Sequence, residues 1–117
     1  MGSLTGLKML DLSRLLPGAY GSLLLADMGM EVLKVEDLDQ GDYMRKQGSI
    51  RKKETAQFLA LNRNKKSMTL DLKSKEGKEI FYELAKKSDA SPSLRRRSPC
   101  GFALDHVWRP RRLQPDL

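Results

Sequence analysis

Apolar and polar positions alternate along the first ninety residues in blocks that predict strands and helices in turn. Residues 7–12 (LKMLDL) form an apolar-rich run of strand length, and residues 13–18, containing Pro17, read as a turn. From 19 to 28 the pattern is helical through Leu23, Leu24, Leu25 and Ala26, with Gly29 as the C-terminal stop. Residues 31–35 (EVLKV) set outward charge against Val32, Leu33 and Val35, which predicts a second strand. Two short strands joined by a helix of this length favour a right-handed parallel unit.

Residues 37–55 are polar and read as an irregular excursion, after which 58–61 restore an apolar run. The alternation of Met68, Leu70 and Leu72 against Thr69 and Asp71 predicts a third strand over 67–72. Ser74 then starts a helix, with Glu76 in its first turn and Lys86 and Lys87 in its last. Ile80, Phe81, Leu84 and Ala85 are its expected buried stripe. A fourth apolar strand is due after Asp89. The chain reads Ala90-Ser91-Pro92-Ser93 instead, so the repeat is expected to break there.

Composition sharpens that break. Residues 1–90 hold 16 basic and 13 acidic residues, a net +3, whereas 91–117 hold six Arg, no Lys and two Asp, a net +4. Four of the five prolines and the single Cys, His and Trp also lie beyond residue 90. The expected organisation is one α/β domain over 1–90 and an irregular or disordered basic tail over 91–117. The tail can be read as an Arg-rich nucleic-acid arm around Trp108, or as an extension with no evolved function from splicing or a frame change. The absence of a nucleic-acid fold motif or a basic helix face favours the second. No apolar run approaches the ~20 residues that span a bilayer, and no secretory signal pattern is present. With one Cys and one His, neither a disulfide framework nor an ordinary zinc site is expected. The lone Cys suits a reducing compartment, the cytoplasm or an organelle matrix.

Neither the G-x-G-x-x-G nor the G-x-x-x-x-G-K-[ST] fingerprint is present; Gly18-Ala19-Tyr20-Gly21 has only part of the first. The segments expected at the carboxyl ends of the strands are residues 13–18, Glu36-Asp37 and Lys73, where parallel sheets hold anionic ligands. Asp11 and Asp71 read as strand-end or turn-bonding acids, Lys65 and Lys66 as solvated charges, and Met28, Met30 and Met68 as core filler.

Three stretches in order carry a resemblance: residues 7–36, the Gly41-Asp42…Arg45 element, and LNRNKKSMTLDLKSKEGKE. Together, from about Leu4 to Asp89, they resemble the start of a family III CoA-transferase, a superfamily that includes formyl-CoA and carnitine CoA-transferases and alpha-methylacyl-CoA racemase. The Leu16-Pro17-Gly18 turn is racemase-like and the Asn62-Arg63-Asn64-Lys65 run transferase-like, so both branches stay open. The resemblance implies a Rossmann-like domain, here a partial one, an interlocked homodimer, and CoA bound along the carboxyl edge of the sheet. Carried over by position, the CoA-binding residues are Arg14, Leu15, Leu16, Pro17, Asp37, Leu70, Asp71, Leu72 and Lys73. Phosphate beside the cationic Lys73 is chemically reasonable.

Two departures from the family pattern stand out. Where the family commonly has Arg after the acid that ends strand two, this chain has Asp37. At about 6 Å and an effective dielectric of about 20, a unit charge pair is worth roughly 3 kcal/mol before screening. Either weakened CoA affinity or a substitute cation such as Arg45, Arg51 or Lys52 is expected. The family's nucleophilic aspartate, and the racemase His/Asp pair, fall beyond residue 117, so a fragment without catalytic residues is expected. Asp105 and His106 lie in the tail and are not expected to form a dyad.

Overall fold

β-branched and aliphatic residues in short runs, bounded by Gly, Pro and Ser, build three parallel strands here. The structure, a computed structural model, describes residues 2–14, 16–46, 48, 50–51 and 54–90. The expectations for Leu15, Lys52, Cys100, Asp105, His106 and the tail over 91–117 lie outside the described residues. Strand β1 (Lys8–Asp11) leads into helix α1 (Leu16–Asp27), followed by β2 (Glu31–Glu36). A 3₁₀ turn (Tyr43–Arg45) and two short antiparallel strands, β3 (Ile50–Arg51) and β4 (Glu54–Thr55), precede helix α2 (Ala56–Asn62). Strand β5 (Lys65–Thr69) and helix α3 (Lys75–Lys86) complete the order.

β2 is central, paired in parallel with β1 on one side and β5 on the other. β1 in turn carries a parallel bridge from Met9 to Ala90. Its hydrogen bonds run from Leu10 N to Ala90 O at 3.0 Å and from Ala90 N to Lys8 O at 3.1 Å. The sheet therefore reads third, second, first, fourth in chain order, which is the start of a doubly wound α/β arrangement. The described residues end at this bridge, and the expected break after Asp89 falls on residues outside them.

Strand alternation divides the core in two. Leu10, Val35 and Leu70 pack with Phe81 and Ala85 of α3, whereas Met9 and Val32 pack with Ala26 of α1 and with Met30. Gly29 has φ +98° and ends α1 as expected; a Cβ there would lie 2.9 Å from Thr5 Oγ1. Ser74 caps α3 by accepting from Gly77 N at 2.9 Å. Gly77 is required by close approach, since a Cβ would fall 1.8 Å from Asp71 O.

Several boundaries and faces differ from expectation. α1 begins at Leu16 rather than 19, because Pro17 fits a helix's first turn, where its missing N–H costs no bond. β5 ends at Thr69; Leu70 and Leu72 alternate further only because both meet the α3 cluster from the turn. Ile80 is exposed, and the buried line of α3 is Gly77, Phe81 and Ala85. Met28 is exposed while Met30 is buried. Phe81 is the largest apolar side chain buried to within 1% of full coverage. Phe81→Ala should cost about 3–5 kcal/mol of unfolding free energy, read from the midpoint of urea denaturation at unchanged slope.

Candidate functional site

The strands become progressively more charged toward their carboxyl ends on the face that α1 covers. Met9 and Val32 are followed on that face by Asp11, Lys34 and Glu36, and the parallel register places Lys65 beside Val32. Lys34 is 1% exposed, although the sequence pattern predicts it outward. A central parallel strand has helices over both faces, so no outward side exists for it. Its ammonium donates to Ser13 O at 2.7 Å and lies 2.8 Å from Asp42 Oδ2.

Lys65, expected as a solvated charge, has a side chain only 1% exposed. Its Nζ lies 3.2 Å from Asp11 Oδ2 and donates to Ala19 O at 2.9 Å and Asn62 Oδ1 at 3.1 Å. Lys66 is exposed and pairs with Glu31 at 2.9 Å. Asp11 is fully buried and also accepts from Ser13 N (2.8 Å), Ser13 Oγ (2.5 Å) and Ser22 Oγ (2.5 Å). Burial alone would raise its carboxyl, but the Ser13 and Ser22 hydrogen bonds and the Lys34 charge hold it below its ordinary value. Burial draws the Lys65 ammonium below its own ordinary value against the attraction of Asp11.

The motifs that carry the family resemblance serve this network. In Asn62-Arg63-Asn64-Lys65, Asn62 and Lys65 meet each other, while Arg63 and Asn64 grip Asp27 at 2.7 and 2.9 Å. Asn64 takes a positive φ of 62°, which Asn tolerates better than most residues. In Gly41-Asp42…Arg45, Asp42 caps the 3₁₀ turn through Met44 N at 2.9 Å and neutralises Lys34. Arg45 donates to Glu36 at 2.9 Å and to Glu54 at 2.6 Å, and its guanidinium lies 3.9 Å from the centre of the Phe58 ring. Arg45 is therefore engaged by Glu36 and Glu54 in the fold while its side chain also lines the cleft described below.

The sequence-predicted site residues fall along one edge with different roles. Arg14 Nη2 lies 3.5 Å from Asp37 Oδ2, and Nη1 lies 3.5 Å from Tyr43 Oη, so the first and second strand ends meet. Leu16 and Pro17 are exposed in the first turn of α1. Leu70 is buried and its N donates to Glu36 O at 3.0 Å, while Leu72 is half-buried against the α3 cluster. Their side chains are core, so only their backbone faces the edge. Asp71 accepts from Lys73 N at 2.9 Å, a turn-bonding acid as expected, and Lys73 is exposed. Beyond Glu36 an open cleft of about 620 Å³ is lined by Glu36, Asp37, Asp39, Gly41, Arg45 and Thr69, with neighbours between them. Its lining mixes three carboxylates, the paired Arg45 and the hydroxyls of Ser67 and Thr69 with the apolar Leu38 and Met68.

Among the described residues no cluster of His, Cys, Asp and Glu could hold a metal ion, and no helix is long and apolar enough to cross a membrane. The deep position of Lys34 and Lys65 is what sequence reasoning missed. A Lys inside an otherwise aliphatic central strand was the available signal.

Asp11→Ala should destabilise the protein by roughly 3–5 kcal/mol, because it strands a buried ammonium; Asp11→Leu with Lys65→Met should recover much of that loss in the same denaturation assay. Since the folded Asp11 carboxyl lies below 3.8, its contribution is present above that pH and lost as pH falls through the lower folded value. Acid unfolding curves of Asp11→Asn should lack this slope.

The chain matches the sequence profile of CoA-transferase family III over residues 4–95, a few residues beyond the expected limit at Asp89. It is 39% identical over 97 residues to an acyl-CoA transferase of Fusarium pseudograminearum, covering 75% of this chain and 21% of that one. It is 42% identical over 86 residues to succinyl-CoA:glutarate CoA-transferase of Mus musculus, covering 73% and 20%. A CAIB/BAIF family protein from Brucella suis superposes with TM-score 0.71 at 35% identity, covering 77% of this chain and 25% of that one. The chain thus spans about a fifth of the length of the curated relatives it matches. On its sequence match and its fold together, this chain belongs to CoA-transferase family III.

Proposed function

We propose that this chain binds coenzyme A or an acyl-CoA along the carboxyl edge of its sheet and does not itself catalyse CoA transfer. The observation that carries the reading is the set of strand ends converging beside an open cleft, in a chain of this family. The binding unit is residues 1–90, with 91–117 as an extension. Exposed backbone in the first turn of α1, Arg14 at the rim and Lys73 beside the α3 cap supply donors for pyrophosphate and phosphate oxygens. Leu70 and Leu72 fix the turn that presents Lys73, and Asp37 stands at the nucleotide end.

The state of the buried acid at this edge supports the reading of inactivity. Covalent acyl transfer needs an activated nucleophile with a base or an anion-stabilising group within reach. Asp11, the most buried acid at the edge, already has its oxygens bonded to Ser13, Ser22 and Lys65 and is not exposed to a thioester. The interlocked homodimer does not enter this reading, because every residue invoked lies on one chain. The same reading places the protein in the cytoplasm or an organelle matrix.

Isothermal titration of the full chain with CoA should give saturable binding that weakens as salt rises, and Lys73→Ala should weaken it several-fold with the fold intact. Incubation with succinyl-CoA and a dicarboxylate acceptor should yield no new thioester. No heat of binding at millimolar CoA would refute the binding claim, and clear turnover would refute the claim of inactivity.

A further inference from the structure

Helix α1 has one face that packs on the sheet and another that stays half open to water. Ala19, Ser22, Leu23 and Ala26 are buried on the first. On the second stand Leu16, Tyr20 and Leu24, with Met28 in the turn that continues the helix, 52%, 52%, 47% and 47% exposed. Their spacing of four residues is that of a ridge by which one helix packs against another. A surface helix ordinarily turns charged or polar residues to water at such positions. α1 carries a single charge, Asp27, which Arg63 and Asn64 hold at 2.7 and 2.9 Å.

Gly21 lies beside this ridge, exposed in mid-helix, where a Cβ would meet nothing within 4 Å. Gly is a poorer helix former than Ala, and neither a positive φ nor a close neighbour among the described residues requires it here. The missing side chain leaves a notch halfway along the ridge, where the axis of a second helix can come close.

Charge and geometry together point to a second copy of the chain. The chain has a net charge of +7, so two copies repel at long range and can close only where no unpaired charge stands. The commonest helix packing interdigitates four-residue ridges of both helices, and two copies related by a two-fold axis supply the same ridge to each other. A partner recognised by charge finds none on this face. A lipid surface is equally poorly served, since α1 has no basic residue to meet its phosphates.

We propose that two copies of this chain pair through the outward ridge of α1, each Tyr20–Leu24 segment seated in the other's Gly21 notch. The copies lie face to face without interlocking, and the pairing does not depend on CoA. Four half-exposed side chains fall short of the ~800 Å² per partner of a standard interface. The pair is therefore weak, with a dissociation constant on the order of 10–100 μM.

Sedimentation equilibrium of the full chain across that concentration range tests the pairing. The mass should rise from one chain to two and stop there. Association should strengthen as salt rises, because screening removes repulsion between like-charged copies. Leu24→Glu should weaken association by roughly tenfold or more, since it sets two carboxylates against each other. Gly21→Ala should raise the thermal midpoint of the dilute monomer through better helix propensity, yet weaken association several-fold by filling the notch. A role confined to the monomer's fold does not combine those two effects. Ile80→Glu, on the exposed side of α3, should leave association unchanged, and thermal melts should show each variant folded. A single-chain mass at the highest concentration, or growth beyond two chains, overturns the inference. So does association that weakens with salt, or a pair that Gly21→Ala leaves as tight as wild type.

Discussion

The arrangement of the whole molecule depends on how four charges are kept out of water beneath helix α1. The side chains of Asp11, Lys34 and Asp42 are buried near the carboxyl ends of β1 and β2, Lys65 reaches Asp11 from the start of β5, and each lies within 3.2 Å of an opposite partner. Two cations and two anions balance, and Ser13, Ser22, Ala19 and Asn62 supply further hydrogen bonds. Such a cluster is weak evidence of net stability, because desolvation offsets much of the attraction. What it does supply is position. Lys34 ties β2 to the loop after β1 through Ser13 O, Asp42 ties the 3₁₀ turn to β2, and Lys65 joins β5 to β1 and α1. Removing a partner leaves a buried charge uncompensated, so the strand ends cannot drift apart cheaply.

In this structure the motifs that carry the family resemblance are largely engaged with partners inside the fold. Asn62-Arg63-Asn64-Lys65 and Gly41-Asp42…Arg45 hold the edge from behind, and Arg14, Asp37 and Lys73 face outward in front of it. The function proposed for the edge therefore relies on a shell of residues whose own partners are inside the fold. The interior charges act through geometry and the exposed ones through contact.

Much of the fold is legible in the chain, and the errors share a cause. Gly29, Ser74 and Glu76 mark helix ends by local chemistry and stand where that chemistry places them. Burial is less legible, because it depends on what covers each face. Leu23 and Leu24 are adjacent and chemically identical, yet Leu23 packs inside while Leu24 is exposed in a line with Leu16, Tyr20 and Met28. A helix apolar on every side gives no periodic signal to separate them. Lys34 and Lys65 mislead in the opposite sense: Lys65 meets Asp11 from 54 residues away, and Lys34 meets Asp42 only because the chain folds back after β2. Ala90, the last described residue, bridges to Met9 and shares backbone bonds with Lys8 and Leu10, with no apolar run to announce it. Of the candidate site, Arg14, Asp37 and Lys73 were visible as strand-end charges, but the engagement of Arg45 by Glu36 and Glu54 was not.

The central claim is that the carboxyl edge of this sheet, held by the buried charges, is where coenzyme A binds. Backbone amide hydrogen exchange on the full chain, with and without CoA, tests it most directly. Added protection should concentrate at Ser13 to Gly18, at Asp37 and at Leu70 to Lys73, with the amino ends of the strands unchanged. Protection confined to other segments, or none at saturating CoA, would contradict the account.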